Sequence, residues 1–238
     1  MDPGTVGLTA DDLGPLPDEI ISDPDAGRLD PRVWFPLRER AADRPFEIEI
    51  GSGKGTFLVQ QAGLQPETDF LGIEWAGEFF RYAADRVRRQ RMENVRLLHA
   101  DATEFLRWRC PPGIARVVHL YFSDPWPKTK HHKNRVIQDR FLADVRRVLI
   151  PGGELRVVTD HQALWEWDRA HFDRWCDATA NQSGTPGYSG PAPAFTEHRF
   201  EAPESADQGE LVGTNFERKF RVEGRHFFST VLRKPLDR

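Results

Sequence analysis

Hydrophobic and polar residues alternate strictly over Phe46-Glu47-Ile48-Glu49-Ile50, the period-two pattern of a strand with two different faces. Further apolar runs at 69–74, 95–99, 117–122, 155–159 and 227–232 predict strands as well. Between them the spacing becomes helical. Phe79, Phe80, Ala83, Ala84 and Val87 mark one face of a helix over 76–91. Ile137, Phe141, Val145, Val148 and Leu149 do so over 136–149, ended by Pro151-Gly152-Gly153, and Leu164, Trp165, Trp167, Phe172 and Trp175 are core aromatics of a helix over 161–180. Strand alternating with helix over this length predicts an α/β fold with a doubly wound, mostly parallel sheet, whose ligands sit at the carboxyl ends of the strands.

Acids gather at that edge. Glu49, Glu74, Asp101, Asp124 and Asp160 all fall at or just past predicted strand ends, a coincidence that solvated surface acids have no reason to show. The first strand runs into Gly51-Ser52-Gly53-Lys54-Gly55 and then a helix start at Thr56, an arrangement that brings backbone close to a ligand at a helix N-terminus. It is not a Walker A loop, because Gly55 follows Lys54 where Ser or Thr is needed, and Thr56 breaks the dinucleotide G-x-G-x-x-G pattern. Glu74 lies where a carboxylate accepts both ribose hydroxyls of an adenosyl group. Asp101 either reaches the adenine end of that ligand or caps a helix, since Asp101-Ala102-Thr103-Glu104 also fits a capping box.

The stretch YFSDPWPKTKHHKNR, from Tyr121 to Arg135, carries the most chemistry. Pro125 and Pro127 stiffen a loop around Trp126, with Asp124 at its mouth. Lys128, Lys130, His131, His132, Lys133 and Arg135 follow as a basic run. A carboxylate, a stacking ring and a phosphate-binding patch together suit chemistry on a nucleic-acid base. Two more basic clusters lie at 81–91 and at Arg218, Lys219 and Arg221, the latter after a capped turn at Thr214-Asn215-Phe216-Glu217.

Composition narrows the setting. The 238 residues, 39% hydrophobic, suffice for one domain with its own core, expected over 31–238. Acids broken by Gly and Pro predict a mobile tail over 1–30 without a secretory signal, and 181–209 reads as an exposed excursion with a short strand near 195–200. No apolar run reaches the length of a membrane span. The two cysteines, Cys110 and Cys176, lie far apart, which fits a reducing, cytoplasmic setting. The net charge of -4 is not that of a basic nucleic-acid binder, but much of the acid sits in the tail, leaving the remainder free to carry a positive face. No metal site is expected, because His131-His132 has no further ligand at chelating spacing.

In order and spacing, E-I-G-S-G-K-G, G-I-E, D-A, D-P-W-P-K-x-x-H-x-K, V-V-T-D and T-x-F-E resemble the bacterial tRNA (guanine-N7)-methyltransferase family from about Phe46 to Lys234. The sequence departs from that pattern at Ser123 and Asn134. The resemblance implies a class I methyltransferase fold of seven strands with the last antiparallel, S-adenosylmethionine as cofactor, and methylation of the guanosine at position 46 of tRNA by a monomer or homodimer. It implies that Glu49, Glu74, Asp101 and Asp124 bind the cofactor with Gly51, Gly53 and Gly55, and that Asp124 is also catalytic. Lys128, Asp160 and Thr214, Asn215, Phe216 and Glu217 would contact the guanosine. Three rivals share parts of this pattern. A D-P-P-Y type amino-methyltransferase would want a second proline at Trp126, an NAD-dependent dehydrogenase a different glycine spacing, and a non-catalytic RNA-binding module has no use for an intact glycine loop and Glu74.

Overall fold

The alternation at 46–50 translates directly into two chemically different sheet faces. In a computed structural model, which describes residues 6–39, 43–179, 188–190 and 193–236, β2 (Phe46–Ile50) turns Ile48 and Ile50 into the main core. Glu47 and Glu49 project to the opposite face and are buried there. The other strands are β1 (Gly7–Thr9), β3 (Asp69–Glu74), β4 (Val95–His99), β5 (Ala115–Tyr121), β6 (Leu149–Thr159), β7 (Thr196–His198) and β8 (Phe228–Arg233). They form one sheet in the order β1-β4-β3-β2-β5-β6-β8-β7. Pairings from β1 to β6 are parallel, and β8 runs antiparallel to both β6 and β7. The order reverses between β2 and β5, the switch point at which doubly wound sheets open a crevice.

Helices cover both faces. On one side α3 (Ala102–Trp108), α4 (Asp139–Val148) and α5 (Gln162–Cys176) press Phe105, Leu106, Phe141, Val145, Phe172 and Trp175 onto Ile48, Leu71, Val118 and Leu155. On the other, α1 (Thr56–Leu64) and α2 (Gly77–Arg89) pack Leu58, Ala62, Phe80, Ala83 and Val87 on Phe70, Val95 and Leu97. Beyond α1 on that face a smaller cluster joins Phe57, Tyr121, Val158, Phe200, Val212 and Val231. A sixth helix, α6 (Asn215–Val222), lies in sequence between its Val212 and Val231.

The doubly wound sheet and its antiparallel end match expectation, with eight strands instead of seven. The additional edge strand comes from the segment expected to be a mobile tail. Over its described residues, 6–30, that segment packs against the domain: β1 extends the sheet in register with Leu97 to His99, Leu8 and Ile20 are buried, and Leu29 N donates to the Arg109 carbonyl at 2.8 Å. A few apolar side chains suffice, because the exposed edge of β4 supplies backbone partners. Pro151-Gly152-Gly153, read as a turn, lies inside β6, where the pairing with β5 shifts register between Ala115 and Val117. Gly153 fits that irregularity because a Cβ there would lie 2.9 Å from the Ile150 carbonyl oxygen. In the 181–209 excursion, β7 forms as expected and Phe195 and Phe200 are buried, while 181–187 and 191–192 lie outside the described residues.

Candidate active site

The glycine loop takes its shape from backbone conformations that side chains resist. Gly51, Gly53 and Gly55 have φ of 72°, 53° and 68°, so every second residue is left-handed and the chain reverses tightly between β2 and α1. A Cβ at Gly51 or Gly53 would meet no atom within 4 Å, so the space above both residues is open. Glu74, at the end of β3, holds the loop in place. Its carboxylate accepts the Gly53 N–H on one oxygen and the Ala76 N–H on the other, each at 2.7 Å, and each oxygen keeps a lone pair for a further donor.

Glu49 is different in kind. It is buried at 4% exposure, and its Oε2 has no hydrogen-bond partner among the described residues. Burial pushes its carboxyl well above the usual range, and the neighbouring charge of Glu74 adds to the effect. A buried acceptor left without a donor is costly, and here it lines a cavity of about 290 Å³ at the carboxyl edge of the sheet. The glycine loop, Thr56, Phe57, Phe79, Tyr121 and Phe122 form part of that wall, and Thr214, Asn215, Phe216 and Lys219 form the rest.

α6 is thus the second wall, a full helix where the sequence suggested only a capped turn. Thr214 caps it, its hydroxyl accepting the Glu217 N–H at 3.1 Å, and Asn215 Nδ2 donates to Thr56 Oγ1 at 3.3 Å across the cavity rim. Phe216 is 53% exposed at the rim. Glu217 has no exposure and faces inward. It accepts the N–H groups of Leu211, Val212 and Gly213 at 2.5, 2.8 and 2.9 Å, and Arg221 also donates to it. Its position makes it the brace of the 211–213 turn beneath Thr214.

Tyr121 closes the cavity floor through a buried chain that the sequence did not flag. Its hydroxyl lies 2.7 Å from His119 Nδ1, His119 Nε2 lies 2.8 Å from Glu47, and Arg116 pairs with Glu47 at 2.6 Å. Burial lowers the His119 pKa, so the consistent proton arrangement has a neutral ring, with Tyr121 O–H donating to Nδ1 and Nε2–H donating to Glu47. The signal was present in the period-two spacing of Glu47 with Glu49 and of His119 with Tyr121.

The loop after β5 departs from its strand abruptly. Phe122 and Trp126 have φ of 55° and 42°, values uncommon for residues with a side chain, and Asp124 sits between them, exposed and without a partner among the described residues. Lys128 is exposed beyond it. Arg135 is not part of that exposed run. It is buried at 3% exposure, which corrects its reading as a phosphate-facing residue. Asp101 behaves as a helix cap: its Oδ1 accepts the N–H groups of Thr103 and Glu104 at 2.8 and 3.2 Å. Asp160, after β6, is paired with Arg225. Glu49, Gly51, Gly53 and Thr214 to Phe216 therefore line one cavity; Gly55, Glu74, Asp101, Asp124, Lys128 and Asp160 are not among its lining residues, although Glu74 holds the lining Gly53 by its N–H. Among the described residues no cluster of acidic, His or Cys side chains is set to hold a metal, and no helix is long and apolar enough to cross a membrane.

A switch-point cavity with a left-handed glycine loop, an acid closing the next strand and an antiparallel strand at the far side of the sheet match the class I methyltransferase fold. Solved structures agree on the fold. The chain matches a SAM-dependent methyltransferase from Aquifex aeolicus over 98% of its length and 99% of that chain, at 14% identity and a TM-score of 0.50. It matches an aminoglycoside resistance methyltransferase over 83% of its length and 91% of that chain, at 19% identity and the same TM-score. In sequence, the family model described as "Putative methyltransferase" matches residues 43–229. The tRNA (guanine-N(7)-)-methyltransferase of Geobacillus thermodenitrificans is 32% identical over 228 residues, 94% of each chain. That of Streptococcus pyogenes serotype M6 is 38% identical over 133 residues, 56% of this chain and 63% of the relative. The chain belongs to the tRNA (guanine-N7-)-methyltransferase family.

Proposed function

We propose that the protein transfers a methyl group from S-adenosylmethionine to N7 of a guanosine in tRNA, at position 46 of the variable loop. The observation that carries this reading is the cavity between the glycine loop and α6, with the unpartnered Glu49 carboxylate in its wall. S-adenosylmethionine, when bound, supplies an electrophilic methyl group on a sulfonium centre. Its ammonium group is the kind of donor that Glu49 Oε2 lacks, its ribose hydroxyls suit the remaining lone pairs of Glu74, and Asp101 would take the adenine end.

Guanine N7 has an in-plane lone pair and no proton, so the reaction requires no general base. The N7–C bond forms as the S–C bond breaks, and positive charge moves from sulfur to the purine. The protein's contribution is alignment and compensation of that charge. Asp124, exposed at the cavity end of β5 with no internal partner, serves this role. Thr214, Asn215 and Phe216 hold the guanosine at the rim, Glu217 supports them, and Lys128 and Asp160 would complete the contacts to it. The enzyme works in the cytoplasm, as a monomer or homodimer. Borohydride and aniline cleavage of methylated tRNA transcripts tests the position: cleavage at the variable-loop guanosine supports it, and cleavage elsewhere refutes it.

A further inference from the structure

Asp124 lies between two residues in left-handed backbone, Phe122 and Trp126, a conformation that persists only where neighbouring structure enforces it. The Phe122 side is enforced visibly. Its N–H donates to the Val158 carbonyl at 2.8 Å, and its ring meets those of Phe220 and Phe227 edge-on. On the far side the corresponding anchor is Arg135. Its Nε donates to the carbonyl of Pro125 at 2.9 Å, its Nη1 donates to the carbonyl of Ala163 at 3.2 Å, and its guanidinium lies 5.3 Å from the centre of the Trp167 ring. The Trp167 indole N–H in turn donates to the Ile137 carbonyl at 2.7 Å, and Gln138 closes the base of the segment on the Lys133 and Arg135 carbonyls.

We infer that Arg135 is a positioning residue for methyl transfer: it fixes the carbonyl next to Asp124 to α5 and so sets where the Asp124 carboxylate stands, while making no contact with RNA phosphate. The sequence places it among basic residues that look alike, yet its neighbours Lys128, Lys130 and Lys133 are exposed and it alone is buried. A planar guanidinium donates to two carbonyls while stacking on a ring, which an ammonium group cannot reproduce. The inference rests on the methyltransfer reading above and adds to it a division of labour inside one motif.

The test compares Arg135→Lys, Arg135→Ala, Trp167→Leu and Lys128→Ala in tRNA binding and single-turnover methylation at saturating cofactor. Expected for Arg135→Ala is a fall in the single-turnover rate of roughly 10- to 100-fold, with tRNA affinity and its salt dependence as in the wild type. Arg135→Lys keeps the charge and fails to rescue the rate, and Trp167→Leu shows the same rate-only loss. Lys128→Ala weakens tRNA binding and flattens the salt slope by about one. Thermal melting and cofactor binding are measured on each variant, and Trp167→Leu carries the comparison if Arg135→Ala does not fold. If Arg135→Ala flattens the salt slope as Lys128→Ala does and Arg135→Lys restores activity, Arg135 is a phosphate ligand and the inference is overturned. Failure of the wild type to make 7-methylguanosine would instead refute the underlying function, so the two failures are distinguishable.

Discussion

Glu49 combines burial, the raised pKa that burial causes and an acceptor without a donor, a combination that a bound cation would reverse by favouring the ionised carboxylate. An acid raised by burial is protonated in the free protein at pH values where an ordinary carboxyl is ionised. Binding an ammonium group beside it favours the ionised form, so cofactor binding should expel a proton, and affinity should rise with pH until Glu49 is ionised in the free protein. Calorimetry in buffers of different ionisation enthalpy should show this proton release for the wild type and its loss in Glu49→Gln. Equal proton release by both proteins would place the titrating group elsewhere. The position of Glu49 was legible in the alternation of its strand; its lack of a partner was not, because that depends on what three other strands bring to the same face.

At the scale of the element, α6 separates residues that the motif lists together. Thr214 to Phe216 line the cavity, whereas Glu217 points the other way into three backbone N–H groups. Removing its carboxylate would leave buried donors unpaired, so Glu217→Ala should lower stability by roughly 3 kcal/mol. Urea unfolding checks this, and an unchanged midpoint would show that the turn does not need the brace. The β5 loop teaches the same lesson through Arg135. Sequence composition makes it one of six basic side chains, and only the docking of α5 separates a buried clamp from its exposed neighbours. The loop itself, its stiffness and its place at a strand end followed directly from two prolines and an apolar run.

Across the whole molecule, alternation and strand-end acids were enough for the doubly wound sheet and its ligand edge. They were not enough for β1, because three residues joining an open edge leave almost no periodic signal. A second whole-molecule property is carried by Asp168 of α5, which is 1% exposed with Oδ1 unpartnered among the described residues. Burial raises its pKa from 3.8 to about 8 against the opposing charge of Arg135. Between those values the unfolded chain binds fewer protons than the folded one, so this residue's contribution to stability falls as pH rises through that window. Asp168→Asn should therefore stabilise the protein progressively from pH 5 to pH 8, by at most about 4 kcal/mol near neutrality. Urea midpoints at the two pH values measure it, and a constant difference would contradict the assignment.

The most direct test of the whole account is incubation of the purified protein with methyl-labelled S-adenosylmethionine and bulk tRNA, followed by nucleoside digestion and chromatography. Label in 7-methylguanosine, lost in Asp124→Ala while that variant still binds cofactor and tRNA, is the predicted result. Label in an amino-methylated base, or full turnover by Asp124→Ala, would contradict the account of this site.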